Sequence, residues 1–181
     1  MQKRTTRALK QSPDKTLNLR DARIAGLVVV GLLLFIFESY LPRPVPWLKF
    51  GLANIATLVA LYWLGWKEAI IVALYRIVIG AFFIGNIFTP GFFLSLSGGL
   101  MAVLAMVFFF QLKIFGIVSV SVAGSVFHNL GQVLVAVYLL FKNSVIWYIL
   151  PYLLLTSLFT GVVIGLISFY LLKRIGEDFG D

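Results

Sequence analysis

The sequence predicts an all-α, polytopic integral membrane protein with six transmembrane helices. Of its 181 residues, 61% are hydrophobic and 12% are charged, whereas an average soluble domain has about 45–50% apolar and about 25% charged residues. The mean hydropathy is +1.01, and only a bilayer solvates that much apolar surface without aggregation. The apolar residues fall into six runs, each near the ~20 residues that a helix needs to cross a hydrocarbon core.

The six helices follow one another through short polar or proline-containing connections. Their expected bounds are residues 22–41, 48–64, 69–87, 92–112, 117–141 and 145–172. The second helix is short for a full crossing, and a tight polar turn is expected at Trp66-Lys67-Glu68, just before the third. The chain divides into a basic cytoplasmic tail, a single six-helix transmembrane domain and a short acidic cytoplasmic tail, over residues 1–20, 21–174 and 175–181.

The distribution of cations predicts that both termini face the cytoplasm. Seven of the fifteen Lys and Arg residues precede Ile24, and with the N-terminus inside, eleven lie on the cytoplasmic side and three outside. Because cytoplasmic loops carry the excess of Lys and Arg, we expect a multi-pass protein of the bacterial cytoplasmic membrane. The net charge of +8 then indicates contact with anionic lipid. Nucleic acid is not an expected partner, since no folded basic domain is available to bind it.

The segment from Glu38 to Asn54 is unlike the apolar runs on either side of it. Its prolines forbid a continuous helix and favour a short, stiff, extended conformation. A carboxylate, Glu38, enters this segment and a cation, Lys49, leaves it. We interpret the segment as a structured cap on the outer face of the membrane.

Polar side chains inside the apolar runs are the candidates for ligand binding. Arg76 lies mid-helix, ~13 Å from the inner turn at 1.5 Å per residue, where a charge costs at least ~2.5–3.5 kcal/mol. It either bonds backbone carbonyls or a neighbouring carboxylate, or anchors an anion or hydroxyl of a ligand. On the fifth helix, His128, Asn129 and Gln132 belong to a polar stripe of roughly 140°, which either lines a cavity or joins helices by hydrogen bonds. The candidate substrate-binding residues are Glu38, Lys49, Asn54, Arg76, Ser97, His128, Asn129 and Gln132.

Signals for catalysis, metals and cofactors are weak. The chain has no cysteine and one histidine, so neither a thiolate nor a histidine-rich metal site is expected. Clustered carboxylates for Mg²⁺ chemistry and a glycine-rich phosphate loop are absent from the sequence. We therefore expect no catalytic residue, no metal and no cofactor bound by this chain. A lipid-modifying enzyme would need Glu38, Glu68 or His128 as its base.

Small residues four apart indicate close approach of helices. Gly161 and Gly165 are expected to pack within the bundle. Ala22 and Gly26 lie at the inner face of the first helix, where a partner could dock instead.

Five sequence motifs together resemble a family of small bacterial membrane proteins. The family is labelled both heptaprenyl diphosphate synthase component I and Gx transporter, and it is similar to the substrate-binding S components of energy-coupling factor (ECF) transporters. The resemblance covers about residues 22–172. The motifs are E-S-x-x-P at Glu38–Pro42, P-x-x-K-x-G-L-A-N at Pro46–Asn54, Y-R-I-V-I-G at Tyr75–Gly80, F-x-L-S-L-S-G-G at Phe92–Gly99 and F-H-N-L-G-Q at Phe127–Gln132.

The resemblance implies an S component that captures a small precursor from outside and couples to a transmembrane T subunit with two cytoplasmic ATPases, which use the ATP. The coupling residues would be Ala22 and Gly26, although the usual pattern is Ala-x-x-x-Ala and Gly26 departs from it. The synthase label implies an isoprenoid-type precursor linked to menaquinone or polyprenyl biosynthesis, or alternatively a non-catalytic membrane subunit of a heptaprenyl diphosphate synthase. The implied gating loop contains Pro42, Pro44, Pro46 and Trp47.

Overall fold

A computed structural model of the protein describes residues 13–41, 51–139 and 145–178, and this part of the chain is helical with no strand. The all-α prediction is confirmed, and the helices are the six that the apolar runs indicate. They are α1 (Pro13–Tyr40), α2 (Asn54–Trp63), α3 (Trp66–Ile84), α4 (Pro90–Gln111), α5 (Ile117–Leu139) and α6 (Val145–Asp178).

Four stretches are long and apolar enough to cross a membrane by length and composition. They are Leu19–Tyr40, Pro90–Gln111, Ile117–Leu139 and Leu150–Gly176. The helix α2 has 10 residues and so rises only ~15 Å, and the 19-residue α3 carries three charged residues. The structure thus supports a multi-pass membrane protein, while six complete crossings and cytoplasmic termini stay predictions.

The connection between α2 and α3 differs from the expected one. Gly65, with φ of 120°, forms the turn, and α3 begins directly after it at Trp66. The predicted turn at Trp66-Lys67-Glu68 is therefore wrong, because a glycine supplies the positive φ that this sharp change of direction requires. Glu68 instead lies in the first turn of α3, where a negative charge is favoured by the helix dipole.

The short helix α2 lies at the centre of the bundle. It packs against α1, α3, α4 and α6, and eight of its residues are buried. Around it, α3 packs on α4, α4 on α5 and α5 on α6, while α1 packs on α2 and α3. The fully buried large side chains come from this packing: Leu58, Leu61, Val72, Ile77, Val103, Met106, Val120 and Ile164.

The outer surface of the bundle is also apolar. Large aromatic side chains such as Phe82 (71% exposed) and Phe159 (72% exposed) point away from the core. A soluble monomer rarely exposes so much contiguous apolar surface, so these residues are expected to contact lipid.

Candidate functional site

A buried charged cluster joins α1, α2 and α3. Arg76 of α3 is 3% exposed, and its Nη2 donates a hydrogen bond to Asn54 Oδ1 of α2 at 2.9 Å. The stem of Arg76 passes close to α1, since a Cβ at Gly31 would lie 3.0 Å from Arg76 Cδ. Gly99 of α4 approaches from the other side, with its Cβ position 4.0 Å from Arg76 Nη2. Four helices therefore surround this guanidinium.

The carboxylate of Glu38, near the end of α1, completes the cluster. Glu38 is 2% exposed, and its charge interacts favourably with that of Arg76. Its Oε1 accepts a hydrogen bond of 2.6 Å from the backbone N–H of Gly51, which has a φ of 79°. Since an unpaired buried charge is strongly destabilising, Glu38 is the described carboxylate whose charge favours that of Arg76, and Asn54 is the side chain that bonds Arg76 directly.

Asn54 connects the two charged residues. Its backbone N–H donates to Gly51 O at 2.8 Å, and a Cβ at Gly51 would lie 3.0 Å from Asn54 Nδ2. A chain of contacts thus runs from Glu38 through Gly51 and Asn54 to Arg76.

Two buried polar atoms in this region have no hydrogen-bond partner among the described residues. They are Arg76 Nε and Thr57 Oγ1. Thr57 follows Asn54 by three residues on α2, and residues at this spacing lie on the same helix face. Because buried polar groups are nearly always paired with protein or water, these two atoms indicate that a further polar group can bind here.

The polar stripe of α5 divides between two neighbouring helices. His128 and Gln132 face α4: the Gln132 amide donates to His128 Nε2 at 3.0 Å, and a Cβ at Gly98 would lie 3.1 Å from His128 Cε1. Asn129 faces α6, where its Nδ2 donates to Ser157 Oγ at 2.6 Å and to Leu153 O at 3.2 Å. A stripe this wide contacts both helices that flank α5.

Ser97 joins α4 to α5. Its Oγ donates to Gly131 O at 2.8 Å, across an interface where a Cβ at Gly131 would lie 2.7 Å from Ser97 O. Ser97 and Asn129 thus both make interhelical hydrogen bonds, the role that the sequence analysis offered as the alternative for Asn129. Their binding of substrate stays a prediction.

Arg76 and His128 approach α4 at neighbouring residues from different sides. Gly99 is near Arg76 and Gly98 is near His128, and successive residues of a helix point about 100° apart, so the two side chains meet α4 on different faces. Neither Arg76 nor His128 lies in the wall of three cavities that are lined by described residues.

The three cavities are apolar and lie between pairs of helices. One of about 600 Å³ runs along α1 and α3, and one of about 410 Å³, which includes Ser97, lies between α4 and α5. The third, of about 190 Å³, lies between the C-terminal end of α1 and α6. Its wall is formed by Leu41, Leu52, Phe159, Thr160, Val163 and Ile164.

The remaining predicted site residues fall into two groups. Ala22 and Gly26 are exposed, and nothing lies within 4 Å of the Cβ position of Gly26. The predicted gating loop and the Lys49 ligand-binding position lie outside the described residues. These positions are Pro42, Pro44, Pro46, Trp47 and Lys49.

Several contributors to the charged cluster were missed from the sequence. The Gly51 N–H is a backbone group, and Gly31 contributes by lacking a side chain. The lone signal for Gly31 was a glycine inside an apolar helix, which is also typical of ordinary helix packing. Among the described residues, no three His, Asp or Glu side chains come together as metal ligands.

A family model described as heptaprenyl diphosphate synthase component I matches residues 27–171, which is more than half of the 181-residue chain. No curated protein and no solved structure matches.

Proposed function

The chain belongs to the family described as heptaprenyl diphosphate synthase component I, and from this premise we propose that it is the substrate-binding S component of an ECF importer. It captures a small isoprenoid-type precursor from outside the cell. A transmembrane T subunit and two ATPases then use ATP to drive uptake. The family description itself implies a partner subunit and an isoprenoid-related role.

The observation that carries this proposal is the charged cluster of Arg76, Glu38 and Asn54. All three side chains are at least 97% buried, with 3%, 2% and 3% exposed, in a bundle whose outer surface is apolar. Ionisable residues within membrane-spanning segments are costly and typically mark ligand or ion sites. The unpartnered Arg76 Nε supports a ligand rather than a purely structural role.

The inner half of α1 supports the coupling role. Nothing lies within 4 Å of the Cβ position of Gly26. Further along α1 the packing is tight, because a Cβ at Gly80 of α3 would lie 2.7 Å from Phe35 of α1. The face of α1 with Ala22 and Gly26 is thus not used by packing with the described helices. Small residues on a free helix face allow a partner helix to approach closely.

Co-purification tests the importer proposal. We expect the tagged chain, extracted gently from its native membrane, to retain a T subunit and two ATPases, identified by mass spectrometry. Gly26→Leu should abolish this retention while leaving thermal unfolding unchanged, because the new side chain enters open space. Gly176→Leu, at an equally open position near the end of α6, is the matched control and should retain the partners.

A second candidate function follows from the family description, which names a synthase component. In that case the chain is a non-catalytic membrane subunit of a heptaprenyl diphosphate synthase. The same purification would then recover a soluble, aspartate-rich synthase, and loss of the chain would change the length of its product. Recovery of the synthase without T subunit or ATPases would overturn the importer proposal.

A further inference from the structure

We propose that the charged cluster takes a neutral, hydroxyl-bearing head group, so that the isoprenoid ligand is the free prenyl alcohol rather than its diphosphate. This rests on the function proposed above and names the chemical class of its substrate. The alcohol's oxygen lies beside Arg76, and its apolar chain lies in the cavity between α1 and α6.

The charges of the cluster favour a neutral ligand. Arg76 and Glu38 are both buried and carry opposite charges, so the described side chains of the cluster have no net charge to offer an anion. A phosphate group carries about −1.5 to −2 charges at neutral pH and is recognised by several cations or by an uncompensated arginine. The other described Lys and Arg residues lie in the first part of α1 or near the ends of α3, α4 and α6.

The unpartnered polar atoms favour a hydroxyl. Arg76 Nε is a donor and Thr57 Oγ1 both donates and accepts, and each lacks a partner among the described residues. A hydroxyl group also donates one hydrogen bond and accepts others. A single alcohol can therefore satisfy groups whose burial without a partner is unfavourable.

The apolar cavity adjoins the two chain segments that carry Glu38 and Asn54. Leu41 in its wall donates its backbone N–H to the backbone carbonyl of Glu38 at 3.3 Å, and Leu52, also in its wall, follows Gly51, whose N–H donates to the Glu38 carboxylate. At ~30 Å³ for a water-sized group, a cavity of about 190 Å³ accommodates roughly one five-carbon isoprene unit. A longer chain would continue past Phe159, which is 72% exposed on the lipid-facing side.

The test compares geraniol with geranyl diphosphate, which share one chain and differ in the head group. The full chain is purified in detergent, and its thermal unfolding midpoint is measured as each compound is titrated, since a ligand that binds the folded state raises the midpoint. We expect the apparent affinity for geraniol to exceed that for geranyl diphosphate by about tenfold or more.

Glu38→Gln should reverse this preference by leaving the charge of Arg76 uncompensated. Affinity for geranyl diphosphate should rise and affinity for geraniol should fall, each by about tenfold. The matched control is Glu68→Gln, which removes the other buried carboxylate of this half of the bundle and should leave the preference unchanged. If Glu38→Gln does not fold, the charge-neutral pair Glu38→Gln/Arg76→Gln replaces it and should lose geraniol binding by at least about tenfold.

The outcomes separate the two proposals. A wild-type chain that binds geranyl diphosphate at least as tightly as geraniol, or that binds neither, overturns the alcohol proposal, whereas retention of T subunit and ATPases would still support the importer. An unchanged preference in Glu38→Gln also overturns it. Binding of geraniol without any retained T subunit or ATPase would instead contradict the importer and leave the head-group preference standing.

Discussion

Helices α4, α5 and α6 meet through close backbone contacts, whereas α1, α2 and α3 meet around buried charges. A Cβ at Gly161 would lie 2.6 Å from Val122 Cα, and one at Gly165 would lie 2.8 Å from Val118 Cα. In the other half, Arg76 and Glu38 occupy the interior, and Gly26 faces open space. The comparison teaches that one half is joined by close backbone packing, whereas the other holds the buried charges and the free helix face that the proposed binding and coupling require.

The largest expected effect on stability comes from removing the charge of Arg76 from the half formed by α1, α2 and α3. Arg76→Gln removes one of the two opposite buried charges of the cluster, and breaking a buried pair of charges costs about 3–5 kcal/mol. We expect a large fall in the free energy of unfolding, measured by denaturation in detergent. Adding Glu38→Gln should restore most of the loss, and a double variant no more stable than the single one would contradict the pairing.

Overpacking of the α5–α6 contact should have the next largest effect. Gly161→Val places methyl groups against the backbone of Val122, and insertions of this size into a packed interface cost about 1–3 kcal/mol. The matched substitution Gly26→Val should be nearly neutral in thermal unfolding. Equal destabilisation by Gly161→Val and Gly26→Val would contradict the difference in packing between the two halves.

Removal of one interhelical hydrogen-bond donor should cost less. Asn129→Ala deletes the donor to Ser157 and Leu153, and such bonds in membrane proteins contribute about 0.6–1.7 kcal/mol. Because Asn129 faces α6, we expect lower stability with unchanged ligand affinity. A fall in affinity with unchanged stability would instead place Asn129 in the ligand site that the sequence predicted.

The smallest expected effect belongs to the ion pair that joins α1 to the first turn of α3. Arg20 Nη2 donates to Glu68 Oε1, and the Arg20 side chain is 52% exposed. Glu68 is buried, but the half-exposed guanidinium leaves the pair open to solvent, and ion pairs open to solvent contribute about 0–1 kcal/mol and weaken as salt screens them. Arg20→Ala should therefore lower the unfolding midpoint slightly at low salt, and a difference that persists at 1 M salt would indicate packing rather than charge.

Local sequence patterns predicted the helices better than they predicted which side chains contact one another. The apolar runs indicated every helix but not every bound, since α1 begins at Pro13 rather than near residue 22 and α2 at Asn54 rather than near residue 48. The mid-helix position of Arg76 indicated that a partner must face it. That partner is Asn54, which lies 22 residues earlier in the chain. The sequence analysis named Asn54 as a candidate substrate-binding residue but did not predict its contact with Arg76. Sequence spacing shows which residues share a face of one helix, but the order of helices around α2 decides what each face meets.

The stripe on α5 shows the same limit. His128 and Asn129 were assigned to one lining, yet the structure turns them to α4 and α6 respectively. Adjacent residues on a helix point about 100° apart, so they separate as soon as two helices flank the stripe. The gating loop and the substrate roles remain predictions for the experiments above.

The enclosure of α2 has a consequence for biogenesis. With 10 residues it falls well short of the ~20 that let a helix partition into the bilayer alone. It is joined to α3 by Leu64 and Gly65, so we expect the insertion machinery to admit α2 and α3 as one hairpin. Truncated nascent chains that end before α3 should therefore leave α2 outside the lipid phase, however apolar its sequence.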